Sequence, residues 1–275
     1  MTPDPAAAPP TGVPADPAAL LRVYDDQLRT DAETPGAVSV ARLGPLRMAT
    51  FPGGRGFVSY RDLDGAGAVT VRGWVGEALE HFRADRSVVD VEWKTRGHDV
   101  APGLHEALVE HGFVAGEVES VMMGPAAALA VEVPLPPGVV LRRVTAEADV
   151  RAMSAMADEA FGDPVSTRRA DDLMFRLSRE DGMELWVAEA DGVMVSSGRL
   201  EPVAGTEVAG VWGGATLPAW RGRGIYRALT AVRARSALAL GKTVLHSDST
   251  EYSRPILERA GLVKVTTTTP YEWTR

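Results

Sequence analysis

One stretch of the chain, residues 208–240, limits the folds it can adopt more than any other. Residues 208–217 are apolar, β-branched or small, which predicts a strand that another group approaches closely. Residues 218–224 begin with proline and alternate glycine with arginine, which is typical of a turn. Residues 225–240 contain neither glycine nor proline and have apolar residues at helical spacing, which predicts a helix.

A strand, a glycine-rich turn and a helix in succession form a binding site for an anion. The first N–H groups of a helix have no partner within it, and the helix dipole adds partial positive charge there. Gly222 and Gly224 let the backbone approach a phosphate without a Cβ in the way. Arg221 and Arg223 add positive charge for further phosphates. The segment therefore predicts a phosphate-binding loop.

The turn differs from two common phosphate loops and resembles a third. The dinucleotide motif G-x-G-x-x-G lacks its last glycine, because residues 225–228 read IYRA, and G-x-x-x-x-G-K-[ST] is absent here. The hexapeptide RGRGIY does resemble R/Q-x-x-G-x-G/A, the pyrophosphate loop of the GNAT superfamily of N-acetyltransferases. Arg221 and Gly224 match that pattern, whereas Tyr226 stands where the family usually has glycine or alanine.

The order of predicted elements in the second half agrees with this resemblance. It is β-α-α-β-β-β-α-β-α-β, the order of a GNAT domain, and the loop lies at the correct junction. Residues 253–262 are similar to the family's A-x-x-x-Y-E-K-x-G-F stretch, where Glu258, Arg259 and Gly261 match or nearly match. The resemblance covers residues 136–275 and implies the acyl-CoA N-acyltransferase (GNAT) fold, an α/β (α+β) class with a mixed central sheet flanked by helices.

Local patterns predict further elements. Residues 38–49 alternate as a strand does, and a turn of proline and glycines follows them. Thr145 is a suitable N-cap for a helix that extends to about Phe161. Asp191-Gly192 predicts a two-residue hairpin turn.

The first half is predicted to be a degenerate GNAT-like repeat. Residues 104–113 echo the second family motif and lie between two predicted strands. Residues 53–56, GGRG, precede a strand rather than a helix, so they lack a helix dipole. No cofactor loop is therefore expected in this half. The layout is similar to mycothiol synthase and related tandem acetyltransferases, and the alternative is an unrelated α+β domain packed on the catalytic one.

A proline-rich segment divides the two halves. Residues 133–138, VPLPPG, have three prolines and no periodicity, which predicts a linker. The linker separates an N-terminal domain, residues 18–132, from a catalytic domain, residues 139–275. Residues 1–17 are rich in proline and alanine and lack the regions of a secretory signal, so they are predicted to be a disordered tail.

Composition limits the classes of function. The 275 residues carry a formal net charge of −8, which argues against a general nucleic-acid binder. No run approaches the roughly 20 apolar residues that cross a bilayer, so no membrane partner is expected. The absence of cysteine excludes a cysteine nucleophile and thiolate metal ligands, and we expect no metal. A cytoplasmic location is expected, and a homodimer is left open.

Resemblance to the family implies acetyl-CoA as cosubstrate and direct transfer of its acetyl group to a primary amine of a small molecule. The thioester carbonyl would lie near Trp212 and Gly213, where a backbone N–H could stabilise negative charge. The residues that the resemblance assigns to cofactor binding lie on the end of the strand and in the loop: Ala215, Thr216, Leu217, Arg221, Gly222, Arg223, Gly224, Ile225 and Tyr226.

The chain lacks the acid and the base that are frequent in the family. Leu257 stands where a tyrosine commonly acts as acid, and Gly210 stands near the position of a frequent acidic residue. Tyr252 is therefore predicted to be the acid, and Asp248 a base or an anchor for the amine. The alternative for Asp248 is a solvated turn. His246 is expected to be a packed core residue.

Two acidic residues are predicted to attract a cationic substrate. Glu159 and Asp163 flank the bend between the first two helices of the second half, where the family often admits substrate. The alternative is a charged helix end without a ligand. Two other functions stay open: a non-catalytic acetyl-CoA-binding regulatory or sensing module, and an acyltransferase with a different acceptor such as a hydroxyl.

Overall fold

The computed structural model describes residues 16–275. Their α-helices are α1 (Pro17–Val23), α2 (Ala68–Ala84), α3 (Leu104–Glu110), α4 (Ala126–Leu129), α5 (Glu147–Phe161), α6 (Arg168–Leu177), α7 (Ile225–Ala239) and α8 (Arg254–Arg259). Their strands are β1 (Ser39–Leu43), β2 (Leu46–Phe51), β3 (Arg55–Ser59), β4 (Asp90–Arg96), β5 (Val114–Ala115), β6 (Glu119–Pro125), β7 (Val139–Val144), β8 (Glu184–Ala190), β9 (Val193–Pro202), β10 (Val208–Thr216), β11 (Val244–Ser249) and β12 (Val263–Thr274). Among these helices, none is long and apolar enough to cross a bilayer.

All these strands belong to one mixed sheet. Its order is β1-β2-β3-β4-β12-β6-β11-β10-β9-β8-β7, and β5 pairs with β12. Two neighbouring pairs are parallel, β3 with β4 and β10 with β11. Each parallel pair is connected through a long helix, α2 in the first half and α7 in the second. The two halves therefore repeat the same β-α-β unit, and the predicted mixed sheet flanked by helices is confirmed.

The last strand of each half pairs with the other half. β12, at the end of the chain, lies between β4 and β6, and β6 pairs in turn with β11. The halves are therefore joined by backbone hydrogen bonds through the middle of the sheet. The linker predicted at residues 133–138 lies between α4 and β7, and the division into two domains stays a prediction.

The two faces of the sheet pack against different helices. On β11, Val244 packs against Leu20 and Tyr24 at the N-terminal helix, whereas Leu245 packs against Ala234 of α7. Side chains alternate along a strand, so His246 and Asp248, on β11, share the face that carries α1. The loop before α7 lies on the opposite face of the sheet, with α7 itself.

The structure corrects two local expectations. The strand predicted over residues 38–49 is divided into β1 and β2 by a turn at Gly44, whose φ is 54°. The N-cap of α5 is Ala146 rather than Thr145, and no side chain caps the helix there. The Asp191-Gly192 turn is present between β8 and β9, with positive φ at both residues. Residues 1–15 of the predicted tail lie outside the described residues, and Asp16 caps α1.

Candidate active site

β10 and β11 lie side by side for three residue pairs and then separate. The last of these pairs joins Gly210 to His246. Beyond it, the pairing of β10 with β9 shifts register between Trp212 and Ala215, and Gly213 has a φ of 58°. β10 therefore bulges where it leaves β11, and the edge that faced β11 is left open.

A buried arginine that sequence analysis missed supports this bulge. Arg233, on α7, is 1% exposed and donates hydrogen bonds to the backbone carbonyls of Trp212, at 3.3 Å, and Arg199, at 3.1 Å. Gly198 makes room for it, since a Cβ there would lie 2.7 Å from the guanidinium carbon. Burial lowers the pKa of Arg233, but a guanidinium still stays protonated. Within residues 16–275 it bonds no carboxylate, so an uncompensated positive charge lies beneath the bulge.

The turn before α7 has the backbone of an anion-binding loop. Gly222 and Gly224 have φ angles of 75° and 81°, which glycine adopts without strain. α7 begins at Ile225 without a side-chain cap, so no capping side chain accepts from its first N–H groups. A Cβ at Gly222 would meet nothing within 4 Å, and one at Gly224 would meet only the Pro134 carbonyl oxygen, at 3.9 Å. The loop is therefore open to a ligand.

The two arginines of the loop have different surroundings. Arg221 donates to the carbonyls of Thr216, at 3.0 Å, and Ala160, at 2.7 Å, so it fastens the loop to β10 and to α5. The guanidinium of Arg223 lies 4.8 Å from the centroid of the Trp220 ring. Arg223 makes no ion pair within the described residues, which leaves its charge available to a phosphate.

The predicted strand contacts of the cofactor lie at the end of β10, where several groups already bond β9. The Ser196 hydroxyl donates to the Ala215 carbonyl at 2.7 Å and lies 2.8 Å from the Thr216 hydroxyl. The Leu217 N–H donates to the Val195 carbonyl. The edge available to a ligand is therefore the one on the β11 side, and these three cofactor contacts stay predictions.

The residues that open α7 also pack against the sheet. Ile225 is buried against β8 and β9, and it anchors the start of the helix. The ring of Tyr226 lies against Gly214, where a Cβ would overlap it. The aromatic ring at this position therefore borders the open part of β10, and its contact with a cofactor stays a prediction.

A cavity of about 700 Å³ opens on the α1 side of the sheet, between the two halves. At its base lie Gly210, Trp212 and His246, the residues at which β10 and β11 separate. Its other walls mix aromatic and charged side chains from both halves, among them Phe51, Phe57, Glu92, Lys94, Phe175, Arg176, Arg199 and Glu201. The cavity therefore meets the cleft beside the open strand edge.

His246 and Asp248 form a buried pair at the base of this cavity. The imidazole Nε2 lies 3.1 Å from the Asp248 Oδ1, and the two side chains are 9% and 5% exposed. The other carboxylate oxygen accepts a hydrogen bond from the Lys94 Nζ, at 2.5 Å. Tyr24 and Trp212 border the imidazole, with ring centroids at 5.3 and 5.0 Å. The imidazole Nδ1 makes no hydrogen bond within the described residues.

The charges of this cluster are fixed by its mutual contacts. Burial raises the pKa of Asp248, but Lys94 and His246 outweigh burial and hold that pKa below its usual range. Burial lowers the pKa of Lys94, but Asp248 outweighs burial and raises it above its usual value. Burial also raises the pKa of Tyr24. At neutral pH the cluster therefore holds a carboxylate, an ammonium and a neutral phenol around the imidazole.

The two predicted catalytic residues occupy very different positions. Asp248 is ionised and paired on both oxygens, which makes it a poor proton acceptor and a good partner for orienting His246. Tyr252 is 91% exposed in the loop between β11 and α8 and makes no hydrogen bond within the described residues. Their predicted roles stay predictions. The solvated turn considered for Asp248 is wrong, because the residue is buried in β11.

The structure explains why the usual acid and base positions lack polar side chains. A Cβ at Gly210 would overlap the indole of Trp212, so no carboxylate fits there. Leu257 is 1% exposed and packs in the core beneath α7. His246 is buried and packed between Tyr24 and Trp212, as expected, and it also lines the cavity.

Only one of the two predicted substrate-attracting residues reaches the cavity. Asp163 lines it and lies 3.7 Å from Arg169. Glu159 is exposed on α5 and does not line the cavity. Sequence analysis missed Glu201, whose burial raises its pKa but whose contacts with Arg199 and Arg176 hold the pKa below its usual range.

The corresponding turn of the first half has the opposite charge. Residues 60–67 connect β3 to α2, and they carry Asp62 and Asp64 beside one cation, Arg61, which pairs with Asp26. α2 also begins without a side-chain cap, after Gly67. Two carboxylates at such a helix start oppose a phosphate, and the absence of a cofactor loop in this half stays a prediction.

Comparison with known proteins identifies the second half. Residues 150–261 match the model of the Acetyltransferase (GNAT) family. The second half therefore carries a GNAT acetyltransferase domain, an acyltransferase domain, as its loop and element order predicted. No curated protein matches the sequence.

Solved structures are similar over nearly the whole chain. A GCN5-related N-acetyltransferase from Kribbella flavida has a TM-score of 0.63, 19% identity and 93% of each chain covered. A tandem GNAT protein from the clavulanic acid biosynthesis pathway has a TM-score of 0.61 and 13% identity, with 94% of this chain and 96% of that chain covered. A GCN5-related N-acetyltransferase from Sphaerobacter thermophilus has a TM-score of 0.57 and 18% identity, with 95% and 94% covered. At these identities the similarity shows the fold, including its two-half layout.

Proposed function

We propose that this protein transfers the acetyl group of acetyl-CoA to a primary amine of a small molecule bound in the cavity between the halves. The observation that supports this most is the meeting of two features at one point. The cleft at the open edge of β10 and the base of the cavity share Gly210, Trp212 and His246. A donor that enters from the α7 side and an acceptor that enters from the α1 side would meet there.

The loop and strand edge suit coenzyme A. The N–H groups at the start of α7 and the charge of Arg223 would hold the pyrophosphate, in a loop that is open around Gly222. The open edge of β10 would pair with the amides of the pantetheine arm, as an added strand does. When bound, acetyl-CoA supplies an acetyl group activated as a thioester.

His246 is the best-placed base. An ammonium must lose a proton before its nitrogen can form the new C–N bond, and the free Nδ1 of His246 would accept that proton. The hydrogen bond from Nε2 to the ionised Asp248 fixes the orientation of the ring. The bulge held by Arg233 would direct backbone N–H groups to the carbonyl oxygen as it gains negative charge. When the C–S bond breaks, the sulfur takes up a proton, and Tyr252 is the candidate donor.

The walls of the cavity favour an amine with an apolar part. Glu92 lies 3.9 Å from Arg55, a weak ion pair, and Asp172 makes no ion pair within the described residues. These carboxylates would attract an ammonium. The rings of Phe51 and Phe57 supply an apolar surface beside them.

The experiment measures release of free thiol from acetyl-CoA with a panel of primary amines. We expect turnover with at least one amine, and a loss of about 100-fold or more in the His246→Gln variant, since general-base catalysis contributes ~10²–10⁴. His81→Gln, on the exposed side of α2, is the matched control. Acetyl-CoA binding without thiol release from any amine would favour the sensing module instead. Equal turnover in His246→Gln would remove His246 as the base.

A further inference from the structure

One contact at the candidate active site crosses between the halves. Lys94 lies on β4, and Asp248 lies on β11, and the sheet places β12 and β6 between those strands. The Lys94 side chain nevertheless reaches Asp248 at 2.5 Å, and it is only 18% exposed. The first half, which carries an acidic turn where a phosphate loop would stand, thus supplies a charge to the site of the second half.

This charge and the imidazole of His246 contact the same carboxylate. A buried carboxylate beside an imidazole favours imidazolium, because the ion pair compensates the buried negative charge. Here Lys94 already compensates Asp248, so a second positive charge on His246 would have no carboxylate left to offset it. A neutral imidazole is the form that can accept a proton from an ammonium.

We propose that the first half tunes the His246–Asp248 pair by holding the Lys94 ammonium against Asp248, where that ammonium opposes a positive charge on His246. Lys94 is therefore a positioning residue that acts through its contact with Asp248. The catalytic meaning of this arrangement rests on the proposed function, in which His246 is the base. The coupling itself does not depend on any reaction.

The other titratable groups around this cluster do not replace Lys94. Arg96 is paired with Glu33 and bonds the Tyr24 hydroxyl, so its charge is compensated within the first half. Burial raises the pKa of both Tyr24 and Glu119, the group on β6 that interacts with Asp248. The ammonium of Lys94 is thus the cation in direct contact with the Asp248 carboxylate.

The experiment follows the titration of His246 by NMR of protein labelled with ¹³C at histidine Cε1. The chain has five histidines, and the His246→Gln variant assigns the signal. Lys94 and His246 contact the two oxygens of one carboxylate, and removing a charge so close to a titrating group shifts its midpoint by about one pH unit or more. We expect Lys94→Met to move the His246 midpoint upward by about that amount. Lys94→Gln also removes the charge but keeps a hydrogen bond to Asp248, and it should move the midpoint in the same direction. It replaces Lys94→Met as the test if Lys94→Met does not fold.

Two controls separate charge from structure. Lys94→Arg keeps the positive charge and should restore the original midpoint. Lys264→Met makes the same chemical change on an exposed part of β12 and should leave the midpoint unchanged. An unchanged or lowered midpoint in both uncharged Lys94 variants would overturn the proposal, as would a Lys94→Arg midpoint that moves with them.

The acidic limb of kcat/KM against pH provides a second measurement. It should move upward with the NMR midpoint in Lys94→Met and stay in place in Lys94→Arg. Because the titration needs neither acetyl-CoA nor an amine, the two ideas fail separately. A shifted midpoint without acetylation of any amine would reject the proposed function and keep the Lys94 coupling.

Discussion

The guanidinium of Arg233 donates a hydrogen bond to the backbone carbonyl of Trp212, 3.3 Å away, beneath the bulge of β10. Trp212 pairs with Arg199 on β9 and is the last paired residue before the bulge, and the same guanidinium also donates to the Arg199 carbonyl. The same bulge opens the strand edge at which the two substrates would meet. A buried charge on α7 therefore shapes the site without lining the cavity.

Replacing Arg233 with an uncharged residue should change Tm little and lower kcat. In Arg233→Met the Trp212 carbonyl loses its donor, at a cost of about 1–3 kcal/mol, but the cost of burying an uncompensated charge disappears as well. We expect a small change in Tm, and kcat lower by about 10-fold or more because the bulge N–H groups lose their placement. The KM for acetyl-CoA should change little.

The control for this prediction lies on the same helix. Arg235 is exposed and donates to the Val131 carbonyl, so Arg235→Met removes the same side chain without touching β10. Steady-state kinetics and thermal unfolding of both variants provide the comparison. A normal kcat in Arg233→Met would show that the bulge does not need this support.

The loop glycines should be required for binding rather than for folding alone. Gly224→Val forces a β-branched residue to a φ of 81°, which costs about 1–3 kcal/mol, and it places a side chain where the phosphate would lie. We expect acetyl-CoA affinity, measured by calorimetry, to fall below detection while the protein stays folded.

A second glycine isolates the effect of backbone strain. Gly192, in the hairpin between β8 and β9, has a φ of 79° and, like Gly222, open space around it. Gly192→Val therefore carries similar strain away from the loop. It should lower Tm to a similar degree and leave acetyl-CoA affinity unchanged. Normal affinity in Gly224→Val would reject the loop assignment.

Much of this site could be predicted from local sequence. The RGRG turn and its flanking strand and helix are encoded within residues 208–240, where periodicity and glycine placement act over short distances. The hairpin at Asp191-Gly192 is local in the same way. The order of elements predicted for the second half agreed with the family resemblance, which then implied the cofactor contacts on the strand and the loop.

The rest of the site depends on contacts that no local pattern records. Lys94 and Asp248 are 154 residues apart in the sequence. They meet because β12 pairs with β4 of the first half and β6 pairs with β11 of the second half. His246 occupies a position in the alternating pattern of β11 that is typical of a core residue. It borders a cavity because β10 separates from β11 at this residue. Arg233 lies among apolar residues of α7, and its function follows from a bulge on another element.

Tyr252→Phe tests the predicted acid directly. The hydroxyl is exposed and makes no hydrogen bond within residues 16–275, so its loss should leave Tm unchanged. If Tyr252 returns the proton to sulfur, kcat should fall by about 10²-fold or more while acetyl-CoA affinity stays the same. Stopped-flow measurement of thiol release checks this. An unaltered kcat would assign proton return to water or to another group.

Acid should destabilise the protein through its buried carboxylates. Burial raises the pKa of Glu201, but Arg199 and Arg176 outweigh burial and hold it below the ordinary value. As pH falls, the unfolded chain therefore binds a proton at this group before the folded chain does. The stability that the ionised group contributes is complete above its unfolded pKa, about 4.3, and is lost as pH falls through the lower pKa of the folded state. The free energy of unfolding should fall by up to about 1.4 kcal/mol per pH unit for each such proton.

Glu201→Gln should remove part of this dependence. The amide cannot titrate, so the free energy of unfolding, measured by urea titration from pH 6 to pH 3 (roughly the window in which carboxyls protonate), should fall less steeply than in the unaltered protein. It should also start from a lower value at pH 6, because two arginines lose their carboxylate. Glu159→Gln, on the exposed side of α5, is the control and should keep the original slope. An equal slope in Glu201→Gln would mean that the Arg176 and Arg199 contacts do not hold a charge that folding depends on.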